Sequence, residues 1–241
     1  MPKEHSYRRG VHPKDLISFR VLIKETDLLV SSSKDLRSQT RNRVYHYRRQ
    51  LENYIKLKPD FLSALLPYAE DPYAPEIIKE MIVATRIFDV GPMAAVAGTI
   101  AQLVGRDLFE YTEEVIVENG GDIFLKTKRP ITVSIFAGSS KLTNKLGIVI
   151  YPEQMPAGIC TSSATIGHSL SLGNADSVCI VSRKASLADA AATAIGNRIM
   201  NQSMLKQEIE SMKKSKDITG GVVIIGKIMA SWGEIELTTT N

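Results

Sequence analysis

The chain has 241 residues, 44% of them hydrophobic and 23% charged, with a formal net charge of +4. Those values are ordinary for a soluble globular protein with a proper core. They leave no room for a membrane span, because the longest weakly polar run, Gly91 to Gly105, is interrupted by Gln102 and too short.

Only two cysteines occur, Cys160 and Cys179, each inside an apolar stretch, which points to reduced core residues and not to a disulfide or metal site. The first ten residues, MPKEHSYRRG, lack the apolar stretch of a secretory signal, so a cytoplasmic location is expected. Charge is uneven: residues 1–58 hold 14 Lys and Arg against 6 Asp and Glu, and the remainder 16 against 20. A basic front of this kind meets a phosphorylated ligand or a nucleic acid, or is the solvated face of a helix.

In chain order, Ser18–Ser32 alternates apolar and polar residues around a Glu-Thr-Asp turn and reads as a β-hairpin. From Lys34 to Lys58, Val44, Tyr47, Leu51, Tyr54 and Ile55 form a helical stripe, with Arg41, Arg48 and Arg49 off it. Tyrosines interleaved with arginines would suit stacking on RNA, but no RNA-binding motif accompanies them. Residues 58–110 are helical with prolines at 59, 67, 72, 75 and 92, positions that suit helix starts and joints. The last helix of this stretch carries Ala94, Ala95, Ala97, Gly98 and Ala101, a nearly bare face for a close neighbour or a ligand. Short strands are expected at 114–118, 121–126, 130–137, 146–151, 157–162 and 176–182. A helix over 186–200 with Ser186 as its N-cap follows, then a polar helical stretch and a closing hairpin from about residue 219. Helices lying between hairpins predict an α+β fold with largely antiparallel sheets.

Familiar catalytic signatures are missing: there is no Gly-x-Ser-x-Gly, P-loop, Gly-x-Gly-x-x-Gly or Cys-x-x-Cys, and no histidine pair at zinc spacing. Three segments can carry chemistry. In VENGGDI, Glu118-Asn119-Gly120-Gly121-Asp122 is a hairpin turn by composition, and its glycines would also let a ligand approach the backbone. In GICTSSATIGHSLSLGNADS, the hydroxyls of Thr161, Ser162 and Ser163 and the imidazole of His168 offer phosphate or ribose contacts, or form a plain polar connection. In SLADAAATAI, Asp189 and Thr193 are one helical turn apart on a helix of small residues. A carboxylate and a hydroxyl there suit a hard cation such as Mg²⁺, whereas a solvent-facing or structural Asp189 is the plainer alternative.

These three segments, in this order and spacing, resemble the motifs of the ApbE-type flavin transferases, and VGPMAAVAGTIAQLV resembles the small-residue helix that precedes them there. Over its full length the chain resembles uncharacterised protein family 0280, through ETDLLV, VGPMAAVAG, VENGGDI and ATIGHSLSLGNAD. The resemblance implies one ApbE-like domain over 1–241 with a central cleft, a basic hairpin and helix over 1–58, and a ligand site within about 88–200. It implies FAD or FMN with Mg²⁺, Asp189 and Thr193 at the metal, His168 as a catalytic or binding residue, and Glu118 to Asp122 with Thr161 to Ser163 around the cofactor. The chain departs from the family pattern at Gly91 and Ala97, where an Asp and a Lys usually stand, and at Ser162-Ser163-Ala164-Thr165. A ligand-binding relative without catalysis, or an RNA- or protein-binding module using the basic helix, are the alternatives. The expected partner is a small phosphate-bearing molecule, with the acceptor protein unspecified, no membrane, nucleic acid disfavoured and self-association left open.

Overall fold

The computed structural model describes residues 15–137, 143, 145–163, 173–213 and 215–240. Its elements are β1 (Ile17–Ile23), β2 (Thr26–Ser32), α1 (Arg37–Leu57), α2 (Asp60–Ser63), α3 (Glu76–Ile87), α4 (Val96–Leu108), β3 (Val115–Asn119), β4 (Asp122–Lys126), β5 (Ile131–Ser134), β6 (Leu146–Ile150), β7 (Ala157–Ser162), β8 (Ser177–Ser182), α5 (Ala185–Arg198), α6 (Leu205–Met212), β9 (Ile218–Ile225), β10 (Ile228–Gly233) and β11 (Glu236–Thr239). The strands form an eight-stranded sheet, β1-β2-β3-β4-β7-β8-β9-β10, and a three-stranded one, β11-β6-β5. Every pairing in both sheets is antiparallel, as the α+β expectation required.

The large sheet is covered on both faces, which explains why β3, β7 and β8 read as near-continuous apolar runs. Val115, Val117, Phe124, Cys160, Val178, Ile180 and Val223 point into a core shared with the helices. Their alternates Ile116, Ile123, Leu125, Ile159, Cys179, Val181, Val222 and Ile224 point into a second core closed by the small sheet. On the helix side α4 packs against β3 and β4, α5 against β7 and β8, and the two helices against each other. That contact is close because Gly98 has no side chain: a Cβ there would lie 2.4 Å from the Ala185 carbonyl oxygen. Glu80 of α3 ties the layer together, accepting from Ser186 at 2.7 Å, Gln102 at 3.1 Å and Lys184 at 3.2 Å.

The structure shifts three local expectations. The first hairpin turns at Lys24, with φ +51°, so Thr26 and Asp27 already belong to β2. Ser186 is not the N-cap of α5; Lys184 holds that position, and the serine sits inside the first turn, spent on Glu80. The closing segment is not a simple hairpin either, because β11 leaves β10 and pairs with β6. Both cysteines are buried and free. Among the described residues no single helix is long and apolar enough to cross a membrane.

Candidate functional site

The first turn of α4 gathers the predicted residues, and the reason lies in its start. A 3-10 turn over Pro92–Ala95 gives the Val96 N–H the Met93 carbonyl, but Ala95 at the cap position has no side-chain oxygen, so the Ala97 and Gly98 N–H groups lack a cap partner. Asp189, buried on α5, supplies it: Oδ2 accepts the Gly98 N–H at 2.8 Å, and the carboxyl also takes the Ala97 N–H. Asn119 at the end of β3 donates from Nδ2 to the Ala97 carbonyl at 3.0 Å. One turn beyond Asp189, the Thr193 hydroxyl donates to the Ala94 carbonyl at 3.5 Å. Two segments far apart in sequence thus meet on five residues, Ala94 to Gly98. A solvent-facing Asp189 is excluded: it is 9% exposed.

Strand parity decides which side chains can join this group. Asn119 and Asp122 share the helix-facing side of the sheet with Val117 and Phe124. Ser162 shares it with Cys160, and its hydroxyl would be 3.3 Å from a Cβ on Gly196 of α5. Glu118 and Thr161 have the opposite parity, that of Ile116 and Ile159, toward the small sheet. Thr161 reaches the group only through its backbone, whose N–H donates to Asp122 Oδ1 at 3.3 Å. Glu118 closes the turn from below, its Oε1 accepting the Gly121 N–H at 2.7 Å. Ser163 donates its hydroxyl to the Asp176 carbonyl at 2.7 Å. His168 lies outside the described residues.

The turn itself is Gly120-Gly121, one residue later than the Asn-Gly signal suggests, since Asn119 pairs with Asp122 inside the ladder. Both glycines have positive φ, +66° and +104°, and among the described residues no neighbouring atom lies within 4 Å of where either Cβ would be. Backbone conformation explains the glycines, and no described residue packs against the outside of the turn.

Two carboxyls are buried together here without an ion-pair partner among the described residues. Burial pushes the Asp189 carboxyl up to about 7, against the pull of the Gly98 and Ala97 amides. Burial and the nearby Asp189 hold Asp122 well above the usual carboxylate range, with the Cys160 thiol and the Thr161 N–H working the other way. Cys160 is pushed up in turn, by burial and by both carboxyls, and so stays a thiol that also donates to the Ala185 carbonyl at 3.3 Å. Cys160 and the Ala94 carbonyl were not legible as members of the group. A cysteine in an apolar strand reads as core, and a backbone carbonyl leaves no mark in the residue type. Among the described residues no three His, Cys, Asp or Glu side chains come together as a metal site.

The basic helix α1 is largely occupied by its own protein. Arg48 bonds Thr26 at 2.7 Å and pairs with Glu25 at 2.6 Å and Glu52 at 2.8 Å, which pins the first hairpin to the helix. Arg43 reaches Asp107 at 3.5 Å and Glu110 at 3.3 Å, and Arg41 lies over the Tyr45 ring.

A family model described as AbpE bacteria matches residues 8–234. The chain belongs to that family. A UPF0280 protein of Methanocella arvoryzae is 40% identical over 214 residues, covering 88% of this chain and 87% of its own length. One from Methanococcus maripaludis strain C6 is 42% identical over 222 residues, 90% of each. Among solved structures, the apo form of the Pseudomonas stutzeri flavinyl transferase ApbE superposes with a TM-score of 0.61 at 13% identity, covering 94% of both chains. The ApbE protein of Thermotoga maritima gives 0.56 at 12% identity, covering 92% of this chain and 96% of that one. At such identities the likeness speaks for the fold: this family member has the ApbE architecture of mixed helices and antiparallel sheets.

Proposed function

We propose that the chain binds a flavin nucleotide, FAD or FMN, together with Mg²⁺ and acts in the cytoplasm as an FMN transferase toward a protein acceptor. The observation that carries this reading is the meeting of Asp189, Thr193 and the Ala94 carbonyl at the start of α4. These are hard oxygen donors, few enough that Mg²⁺ would keep places for phosphate oxygens. The buried pair Asp122 and Asp189 fits the same ion, because two carboxyls without a basic partner among the described residues would be stabilised in their ionised form by a divalent countercharge. When bound, Mg²⁺ would neutralise a pyrophosphate and stabilise the leaving phosphate.

The chain's own residues would do the remaining work. The outer side of the Gly120-Gly121 turn would admit the ligand close to the backbone. Asp122, held by the Thr161 N–H, would orient it, and Ser162 would offer a hydroxyl beside α5. His168 is assigned as a base or a binding residue. Moving FMN from FAD to an acceptor hydroxyl breaks the pyrophosphate bond and forms a phosphoester. AMP leaves, and the hydroxyl proton passes to a base. The family membership and the fold likeness to ApbE proteins, the Pseudomonas stutzeri one described as a flavinyl transferase, support the assignment.

A second reading, ligand binding without transfer, is favoured by Gly91. The family's usual Asp cannot stand there, because a Cβ would lie 1.8 Å from the Ala64 carbonyl oxygen. The test is incubation of the purified protein with FAD, Mg²⁺ and a mixed cell extract, followed by mass spectrometry for FMN-bearing peptides and free AMP. Mg²⁺-dependent labelling supports the transferase. A thermal shift with FAD or FMN but no labelling supports the second reading, and no shift with either nucleotide overturns both.

A further inference from the structure

We infer that the chain forms a symmetric dimer through the outward side of residues 57–73, a surface separate from the site described above. The inner side of this segment is firmly built. Phe61 is fully buried between the rings of Tyr54 and Tyr68, at centroid distances of 5.1 and 5.2 Å. Tyr68 donates to Asp60 at 2.8 Å, and both Tyr54 and Lys58 donate to Asp71 at 3.1 Å. The Ala64 carbonyl presses on Gly91.

Its outer side is apolar. Leu57 is 82% exposed, Leu62 54%, Leu65 66%, Leu66 73% and Tyr73 97%. A segment held this tightly does not display five large apolar side chains through looseness. Burying a leucine removes ~100 Å² of apolar surface and a tyrosine ~200 Å², so together they offer on the order of 500 Å² per chain. That lies at the upper end of the patches found on monomers and marks an interaction surface. A stable interface takes about 800 Å² from each partner, and the five side chains with the exposed Pro59, Pro67, Ala69 and Pro72 of the same segment approach it.

Shape and charge select a second copy as the occupant. A groove of about 340 Å³ runs between Leu57 and Tyr73, lined also by Tyr54, Ala74 and Pro75. Leu65 and Leu66 stand out from the connection beyond α2. Across a two-fold axis each surface meets its own likeness, so the leucines of one protomer can fill the groove of the other twice over. The surrounding charges are balanced, with Lys56, Lys58 and Arg86 against Asp60, Glu70 and Asp71, and Lys58–Asp71 and Arg86–Glu70 already paired. Two such rims meet without net repulsion, whereas a nucleic acid or an anionic lipid surface would find no positive field here.

The test is sedimentation velocity on the full chain from low micromolar to tens of micromolar, with melting curves as a folding control. The wild type is expected at twice 26.5 kDa. The double variant Leu65→Asp with Leu66→Asp should be monomeric, its association weakened at least ~100-fold as for a buried hot spot. Tyr73→Ser, at a side chain with no packing to lose within the monomer, should weaken association without changing the melting curve. Leu22→Lys, an exposed site on β1, should leave the dimer intact. A wild type that stays monomeric overturns the inference and gives the patch to another protein or another part of the chain. A dimer that persists in both patch variants overturns it as well.

Discussion

Asp189 and Gly98 are 91 positions apart, and a single 2.8 Å hydrogen bond from the Gly98 N–H to Oδ2 of Asp189 finishes the first turn of α4. A helix normally finds that acceptor in its own cap residue; here a neighbouring helix provides it. Removing it with Asp189→Ala leaves buried amides unpaired and should cost about 1–3 kcal/mol in the presence of EDTA. Asp189→Asn keeps an acceptor oxygen and should lose less. Thr193→Val, whose hydroxyl makes only a long bond, should fall within ~1 kcal/mol of wild type. The stabilisation that FAD with Mg²⁺ gives the wild type should vanish in both Asp189 variants and weaken in Thr193→Val. Chemical melts of the four proteins in both buffers decide it; an Asp189→Ala protein as stable as wild type in EDTA would remove the cap.

The Gly120-Gly121 turn separates backbone strain from ligand contact. Gly120 at φ +66° is in the left-handed region, so Gly120→Asn should cost little and Gly120→Ala about 1 kcal/mol. Gly121 at φ +104° lies beyond that region, and Gly121→Ala should cost more. Neither added side chain meets a described residue, so flavin titrations should show a loss beyond what the melts explain. Unchanged affinity in a folded Gly120→Ala protein would move the ligand away from this turn.

Restoring the family residue at position 91 should fail. Gly91→Asp drives a Cβ into the Ala64 carbonyl and should destabilise by ~3 kcal/mol or more, or prevent folding. Ala97→Lys, at a half-exposed position, should fold. Soluble yield and urea midpoints give the comparison; a stable Gly91→Asp protein would show that residues 64–65 move freely.

Acid stability should depend on Glu80. Burial alone would raise its pKa from 4.5, yet the Ser186 hydroxyl, the Lys184 ammonium and the Gln102 amide outweigh it and leave the carboxyl lowered. With the folded pKa below the unfolded one, the unfolded chain binds the extra proton in between. Its stabilisation is therefore complete above about 4.5 and disappears as pH falls through the lower folded value. Glu80→Gln should melt below wild type at pH 7, and the gap should close in more acidic buffer. A gap independent of pH would assign the loss to packing.

The strands were legible because a sheet buried on both faces writes long apolar runs, and the expected positions of β3, β4, β7 and β8 are within a residue of those found. Asp189 was legible as an acid misplaced among alanines. Its bond to Gly98 was not, since no local pattern reports which amide a distant helix leaves open. The same applies to Ser186, which has the right chemistry for a cap yet is taken by Glu80 from another helix. Asn119 and Asp122 were legible as members of one turn, but their pairing within the ladder and the opposite facing of Thr161 emerge only when the registers of β4 and β7 are known. The pairing of β11 with β6 left no trace in composition, because register between distant strands is a property of the whole fold.

That pairing also fixes an order of events during synthesis. Residues 236–239 leave the ribosome after the ten other described strands, while their partner Leu146–Ile150 leaves much earlier. Until then β6 has only β5 beside it, and its other edge is bare. The described helices of the helix-side core all precede that point; the second core receives its third covering strand only with residues 236–239. Nascent chains arrested before residue 236 should therefore show amide protection in α1 and α5 while β6 still exchanges freely.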